Sequence, residues 1–387
     1  MTNLTKKFLL LISISVLFFA NTQAMLETTV KHLSTCETSN GRERENEIDP
    51  ARVFFNNNYP VALTSNKIKI LNPRSGKQLT DGPFKYFQAI PKRVKNFAFR
   101  LDGKMFAFTH TNGNSHIIEI HSLETIPSKK KFKIPSADPC LAFSQDGSIL
   151  AVGTRNNIII RDTRNLTPLK KLESGPNPSD SFQIITISPN NKLIAAGTGD
   201  KICSAVKLLN IKTKETSTLR PYDGSIILDI VFINNKHLAI SSAQEVNVAP
   251  TITIWNVETG KCIANLTGLD SQASSIACNS QGTILASGSS DGTVKLWDVS
   301  TWKCLKTIKD QIGLYSIALN NKGTLLATRS FGGKIMVYEI KQHYPMLDKN
   351  KLCDVKISCE QDQDTETQDP DQDPIEKLCE QFKNIRI

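Results

Sequence analysis

Turn signals recur along this chain at a near-constant spacing, and that recurrence limits the fold more than any other feature. Gly103, Gly147, Asn191, Lys236, Gly282 and Gly323 follow one another at intervals of 44, 44, 45, 46 and 41 residues. Most follow an apolar strand end, as in Phe-Arg-Leu-Asp-Gly (99–103) and Phe-Ser-Gln-Asp-Gly (143–147). The residues closing these segments tolerate tight turns. One further period upstream falls near Asn58, which gives seven units in all. A β unit of this length cannot bury both of its faces alone, so the copies must stack on one another.

The clearest copy spans Gly282–Thr307. Two apolar runs, Ile284–Ala286 and Val294–Trp297, flank the hairpin signal Ser-Ser-Asp-Gly. The alternation in Val294-Lys295-Leu296-Trp297 suits a strand with one face buried. A Lys-rich third run, Lys303–Ile308, follows Trp297-Asp298. This unit resembles one repeat of the WD-repeat (Trp-Asp) β-propeller family, in which each repeat builds a four-stranded blade. The resemblance covers residues 53–340 and implies an all-β, seven-bladed propeller of four-stranded antiparallel blades.

The signature is degenerate elsewhere. The Trp297-Asp298 pair becomes Leu71-Asn72, His121-Ser122, Arg161-Asp162, Leu209-Asn210, Trp255-Asn256 and Tyr338-Glu339. The family's Gly-His pair has its nearest counterpart in Gly268-Leu269. The resemblance implies a network within each blade of His, Ser or Thr, Asp and Trp. In the sixth blade Ser287 or Ser289, Asp291 and Trp297 supply three parts and the His is missing; Ser289, Asp291, Trp297, Asp298 and Trp255 are the expected structural residues. Packing between blades must then carry more of the stability.

Taken in order, the chain divides into six parts. Residues 1–24 read as a cleaved export signal: Lys6-Lys7, an apolar run Phe8–Ala20, and Thr22-Gln23-Ala24 as the cleavage site. The apolar run is too short to span a bilayer. Residues 25–52 form a polar segment in which Thr28–Leu33 is a candidate outer strand that closes the ring; residues 351–358, in the extension 341–359, are the competing candidate. The propeller occupies 53–340. Residues 360–374, rich in acidic residues, Gln and Pro, read as a disordered linker. Residues 375–387 place Ile375, Leu378, Cys379, Phe382 and Ile385 on one helical face. These features predict an exported monomer, secreted or periplasmic; abundant Asn, Lys and Ile point to an AT-rich bacterial genome.

The chain has a net charge of +10, unevenly spread. Lys residues concentrate in the expected outer strands, where they block edge-to-edge association. The other reading of that charge is a polyanion-binding surface. No nucleic-acid-binding motif appears, so a specific nucleic-acid partner is not expected.

Nine Cys residues are present. Cys262 and Cys304 fall at equivalent outer positions of adjacent repeats, too far apart for a disulfide. Cys140 and Cys278 read as small core hydrophobes. Cys36, Cys353, Cys359 and Cys379, in the terminal segments, are the disulfide candidates. His110, His116 and His121 cluster in the second repeat, without a third ligand at metal-binding spacing. Lactonase-, lyase- and dehydrogenase-type propellers need His and carboxylate groups converging on the channel, and no such constellation is legible. The sequence therefore predicts no catalytic residues, metal or cofactor, and a non-catalytic protein-binding scaffold; a catalytic propeller is the alternative.

The resemblance implies that loops joining second to third strands, and those between repeats, share a partner-binding face. The second-to-third-strand hairpin reads as longer than that of the sixth repeat by three residues in repeats two and four and by five in repeat five. The connection before the second repeat carries Phe84-Lys85-Tyr86-Phe87 and Lys92-Arg93. Arg and aromatic residues anchor interfaces, so Tyr86, Arg93, Arg155, Tyr222, Glu245 and Arg329 are the candidate contacts.

Overall fold

The computed structural model describes residues 27–37, 53–56, 58–63, 68–79, 94–100, 104–112, 115–122, 128–134, 139–155, 157–173, 182–198, 205–221, 225–243, 252–310, 312–330 and 333–343. The chain divides into two units, Met1–Tyr344 and Pro345–Ile387, and all described residues belong to the first. The expected linker and C-terminal amphipathic helix lie outside the described residues.

Strand β1 (Glu27–Glu37) precedes seven sheets. Blade 1 is β2 (Val53–Asn56), β3 (Tyr59–Leu63) and β4 (Ile68–Ile70). Blade 2 is β5 (Val94–Phe99), β6 (Met105–Asn112), β7 (Ser115–Ser122) and β8 (Ser128–Ile134). Blade 3 is β9 (Cys140–Phe143), β10 (Ile149–Gly153), β11 (Asn157–Asp162) and β12 (Pro168–Glu173). Blade 4 follows with β13 (Phe182–Ile187), β14 (Leu193–Thr198), β15 (Val206–Asn210) and β16 (Thr216–Leu219). Blade 5 is β17 (Ile226–Phe232), β18 (His237–Ala243), β19 (Ile252–Asn256) and β20 (Lys261–Leu266). Blade 6 is β21 (Ala273–Cys278), β22 (Ile284–Ser289), β23 (Thr293–Asp298) and β24 (Cys304–Lys309). Blade 7 contributes β25 (Leu314–Leu319), β26 (Leu325–Ser330) and β27 (Lys334–His343).

All pairings are antiparallel, and the innermost strands β2, β5, β9, β13, β17, β21 and β25 touch in sequence, with β25 returning to β2. The fold is a seven-bladed β-propeller. The outer strand of blade 7 is β1, paired to β27 from Glu27↔His343 to Glu37↔Lys334 with a bulge between His32 and Ser34. Strand β27 runs three residues past the expected propeller boundary at 340. Among the described residues blade 1 shows β2, β3 and β4 and, beyond β4, the isolated bridge Leu71↔Gln78.

The alternation of side chains along each strand sends successive residues into opposite gaps between blades. Ile284 and Ala286 of β22 face blade 7, whereas Leu285 packs with Trp297 against Ala239, Ile252 and Ile254 of blade 5. The apolar core is accordingly seven clusters, one in each gap around the ring. Close approach explains Gly288, where a Cβ would stand 2.5 Å from Ile317 Cγ2 of the next blade.

The Asp or Asn that follows the Trp position has a local job. Asn72, Asp162, Asn210, Asn256 and Asp298 each accept the N–H two residues on through a side-chain oxygen, at 2.7–3.0 Å. Their carbonyls accept the N–H four residues on, from Gly76, Leu166, Lys214, Gly260 and Trp302, all at positive φ. An Asx turn of this kind needs a short side-chain oxygen and nothing more. Asn therefore replaces Asp freely while the Trp beside it drifts.

Polar links join blade to blade at the inner strands. Asp229 Oδ2 accepts from Ile276 N at 2.9 Å and Ser275 Oγ at 3.1 Å. Ser275 Oγ then accepts from Ile317 N at 3.3 Å, and Ser316 Oγ from Val53 N at 3.1 Å. The first-to-second-strand turns also touch: Asn235 Oδ1 accepts from Asn190 N at 2.8 Å, and Asn320 Nδ2 donates to Asn58 Oδ1 at 2.9 Å.

Candidate interaction surfaces

The two ends of the ring differ. First-to-second and third-to-fourth turns share one end, and second-to-third turns and the connections between blades share the other. At the latter end Arg155 is exposed beyond β10. Arg329, by contrast, is only 5 % exposed on β26, which removes it as a surface anchor. Tyr86, Arg93, Tyr222 and Glu245 lie outside the described residues. In blade 2 the expected longer hairpin is taken up by β6 and β7, which pair as far as Asn112↔Ser115. Sequence reasoning missed Ile312, which is 82 % exposed in the connection from blade 6 to blade 7. Its neighbour Gly313 donates its N–H to Ser290 O at 2.8 Å, and Ser290 meets Ser271 at 3.2 Å. Asp270 is exposed beside them.

Within blade 6 the network is Trp297 Nε1 donating to Ser287 Oγ at 2.9 Å; Ser287, and not Ser289, is its partner. Asp291 Oδ1 accepts from Thr293 N and Thr293 Oγ1, both at 2.7 Å. Its Oδ2 is buried without a hydrogen-bond partner among the described residues. Asp298 takes no part in this network, because its carboxylate is engaged by the turn that it caps. In blade 5 the Trp255 indole donates to Thr253 Oγ1 on its own strand, at 2.9 Å.

Blade 2 buries an ionic cluster. Glu119 Oε1 meets His110 Nε2 at 3.2 Å, and Oε2 meets His121 Nε2 at 3.2 Å and Lys129 Nζ at 2.7 Å. Burial pushes the Glu119 carboxyl up, but hydrogen bonds from Lys129 and His121 and the charges of Lys129 and His110 outweigh it and hold the group below its ordinary value. Burial lowers His121, against the pull of Glu119. Its ring also stacks on Phe106 at 4.8 Å. Among the described residues no group of three His, Cys, Asp or Glu is placed to hold a metal. Cys140, Cys262, Cys278 and Cys304 are free thiols, and burial pushes Cys278 up to about 12. The Cys36 side chain and Cys353, Cys359 and Cys379 lie outside the described residues.

At the opposite end an open cleft of roughly 480 Å³ lies between blades 2 and 3. Arg100, Lys130 and Arg164 line it, with Asp146, Ser148 and Thr163. The Lys130 ammonium donates to Arg164 O, so the outer strand of blade 2 is tied to a turn of blade 3. Arg164 itself pairs with Asp162 at 2.8 Å and stays 83 % exposed.

The comparisons agree with this geometry. The family model "WD domain, G-beta repeat" matches residues 260–298. "COMPASS component SWD3" of Saccharomyces cerevisiae is 25% identical over 170 residues, 44% of this chain and 51% of that protein. "Protein tipD" of Dictyostelium discoideum is 24% identical over 177 residues, 45% of this chain and 27% of its own length. "Nuclear distribution protein nudF 2" of Aspergillus clavatus is 41% identical over 64 residues, 16% of this chain and 14% of its own. The matches thus span about half of the first relative and smaller shares of the others. Among solved structures, a chain of "Kuenenia stuttgartiensis Hydrazine Synthase" superposes with a TM-score of 0.61 at 14% identity, covering 77% of this chain and 98% of that one, a likeness of fold alone. The chain is a seven-bladed β-propeller that is similar to WD-repeat proteins, with the family's repeat model matched in blades 5 and 6 at residues 260–298.

Proposed function

We propose that this chain is an exported, non-catalytic scaffold, monomeric on its own, that binds a protein partner across the end carrying the second-to-third-strand turns. The observation that carries this reading is Ile312. Ile312, 82 % exposed on a connection pinned by Gly313 and Ser290, is the most exposed large apolar side chain among the described residues, and a partner that covers it gains its apolar burial. Arg155 and Asp270, exposed on the same end, supply a polar rim. The SWD3 relative is by its name a component of an assembly, which supports a role in protein complexes. Export rests on the Lys6-Lys7, Phe8–Ala20 and Thr22-Gln23-Ala24 pattern.

The test is quantitative crosslinking of the full chain in its native compartment. Ile312→Ser with Arg155→Ala should abolish the dominant crosslinked partner, and a matched pair at the opposite end, Lys322→Ala with Lys236→Ala, should retain it. Equal loss from both pairs would remove the site from this end. Mature protein that begins at Met1 would refute cleavage.

A further inference from the structure

We infer that the cleft between blades 2 and 3 is a second binding site, for Asp- or Glu-bearing peptide segments of a protein partner. It lies at the end of the ring opposite to Ile312, and it stands whether or not that face binds anything.

Three cations line one concavity that is large enough for a few residues of extended chain. They come from different elements. Arg100 follows β5, Lys130 lies on β8, and Arg164 sits in the turn after β11. Lys130 and Arg164 are engaged locally, and Arg100 lies against blade 3. The Arg100 side chain lies across Gly147, where any Cβ would collide with its Cδ. Lys130 is held by the carbonyl of Arg164, and two guanidinium nitrogens of Arg164 are held by Asp162. Lys130 and Arg164, held in this way, lose less freedom than unattached side chains when they receive a ligand. Scattered lysines on the outer strands, such as Lys133 and Lys306, have no comparable setting.

The fourth charge in the cleft decides the ligand class. Asp146 resists protonation: burial raises its carboxyl, but Ser144 and the backbone and hydroxyl of Ser148 donate to it and bring it down to about 2. A compact dianion such as phosphate would meet this fixed negative charge. A peptide offers carboxylates for the cations and backbone N–H groups for the lone pair that Asp146 Oδ2 keeps beside its 2.9 Å bond from Ser148 Oγ. Arg binds carboxylates through paired N–H donors; with Nε and Nη2 of Arg164 turned to Asp162, an acidic side chain would meet its Nη1 side and the Arg100 guanidinium.

Fluorescence anisotropy of a fluorescein-labelled peptide of alternating Glu and Gly residues, titrated with the full chain, tests this. Lys130→Glu with Arg164→Glu should weaken binding at least tenfold, and Lys133→Glu with Lys306→Glu should change it less than twofold. Arg164→Ser, at a side chain 83 % exposed, should weaken it severalfold and keeps the test valid if the double variant misfolds. Equal weakening by the outer-strand pair would overturn the proposal in favour of a diffuse basic surface. Inorganic phosphate that displaces the peptide, where chloride of equal ionic strength does not, would overturn it in favour of an oxyanion site.

Discussion

Thr328 donates its hydroxyl to Asp310 Oδ2 at 2.5 Å in blade 7. Asp310 stands 28 residues before Tyr338, the same offset that separates Leu269 from Trp297. An acidic residue thus fills the place where the family resemblance expects His, and the ring at the Trp position changes with it. Burial and the charge and hydrogen bonding of Asp310 push the Tyr338 phenol above its ordinary value. Thr328→Val should destabilise the propeller by about 1.5–3 kcal/mol, since it deprives a charged acceptor of a buried donor. Urea unfolding measures it; a change below about 0.5 kcal/mol would mean that Asp310 finds water instead.

Blade 6 has the complementary defect. Asp291 Oδ2 is buried without a partner among the described residues, and Leu269, 6 % exposed and packed in the same cluster as Trp297, occupies the His position. Leu269→His loses apolar burial worth about 2 kcal/mol but supplies a donor. We expect a double-mutant cycle with Asp291→Ala to give about 1–3 kcal/mol of favourable coupling between the new His and Asp291. Additive effects would show that residue 269 does not reach the carboxylate.

Lys214 sits at φ 67 in the turn capped by Asn210, and its side chain is exposed. Left-handed backbone costs a residue with a Cβ on the order of 1 kcal/mol. Lys214→Gly should therefore raise the melting temperature by a few degrees or leave it unchanged, because Gly also gains freedom in the unfolded chain. Asn210→Ala, which removes the side-chain acceptor, should lower stability by about 1 kcal/mol. The pair measured by calorimetry separates backbone strain from capping.

Gly288→Ala should cost about 1–3 kcal/mol, because the added methyl overlaps Ile317 Cγ2 of the neighbouring blade. Ile317→Val in that background deletes only Cδ1, which leaves the clash in place, whereas Ile317→Ala removes Cγ2 and should recover part of the loss. Recovery by the Val variant instead would show that the blades adjust by sliding.

The blade 2 cluster sets an acid limit. His121 titrates below its ordinary 6.5 when folded, so on acidification the unfolded chain takes up the proton first and stability falls below that pH. Glu119 titrates below 4.5 when folded; its contribution is present above 4.5 and is lost as pH drops toward the folded value. Melting temperature should be flat at neutral pH, decline below about 6.5 and decline further below about 4.5. His121→Phe should flatten the upper limb; an unchanged slope between pH 6.5 and 5 would place the acid sensitivity elsewhere.

Spacing alone determined the architecture. Turn residues every 41–46 positions, with alternation between them, allow few folds other than stacked blades, and seven copies close a ring. The Asn and Asp residues beyond each Trp position were legible for the same reason, because an Asx turn is a local device written in consecutive residues. Tertiary structure decided whatever depends on residues distant in sequence. Which Ser meets Trp297 follows from strand register, Arg329 is buried because of its place on β26, and β1 pairs with β27 across some 300 residues. Glu119 meets Lys129 only because β7 and β8 lie side by side, and the cleft forms only where two blades meet. A repeat pattern states what each unit must bury; the gaps between units, where charge and shape combine into a surface, exist only once the ring has closed.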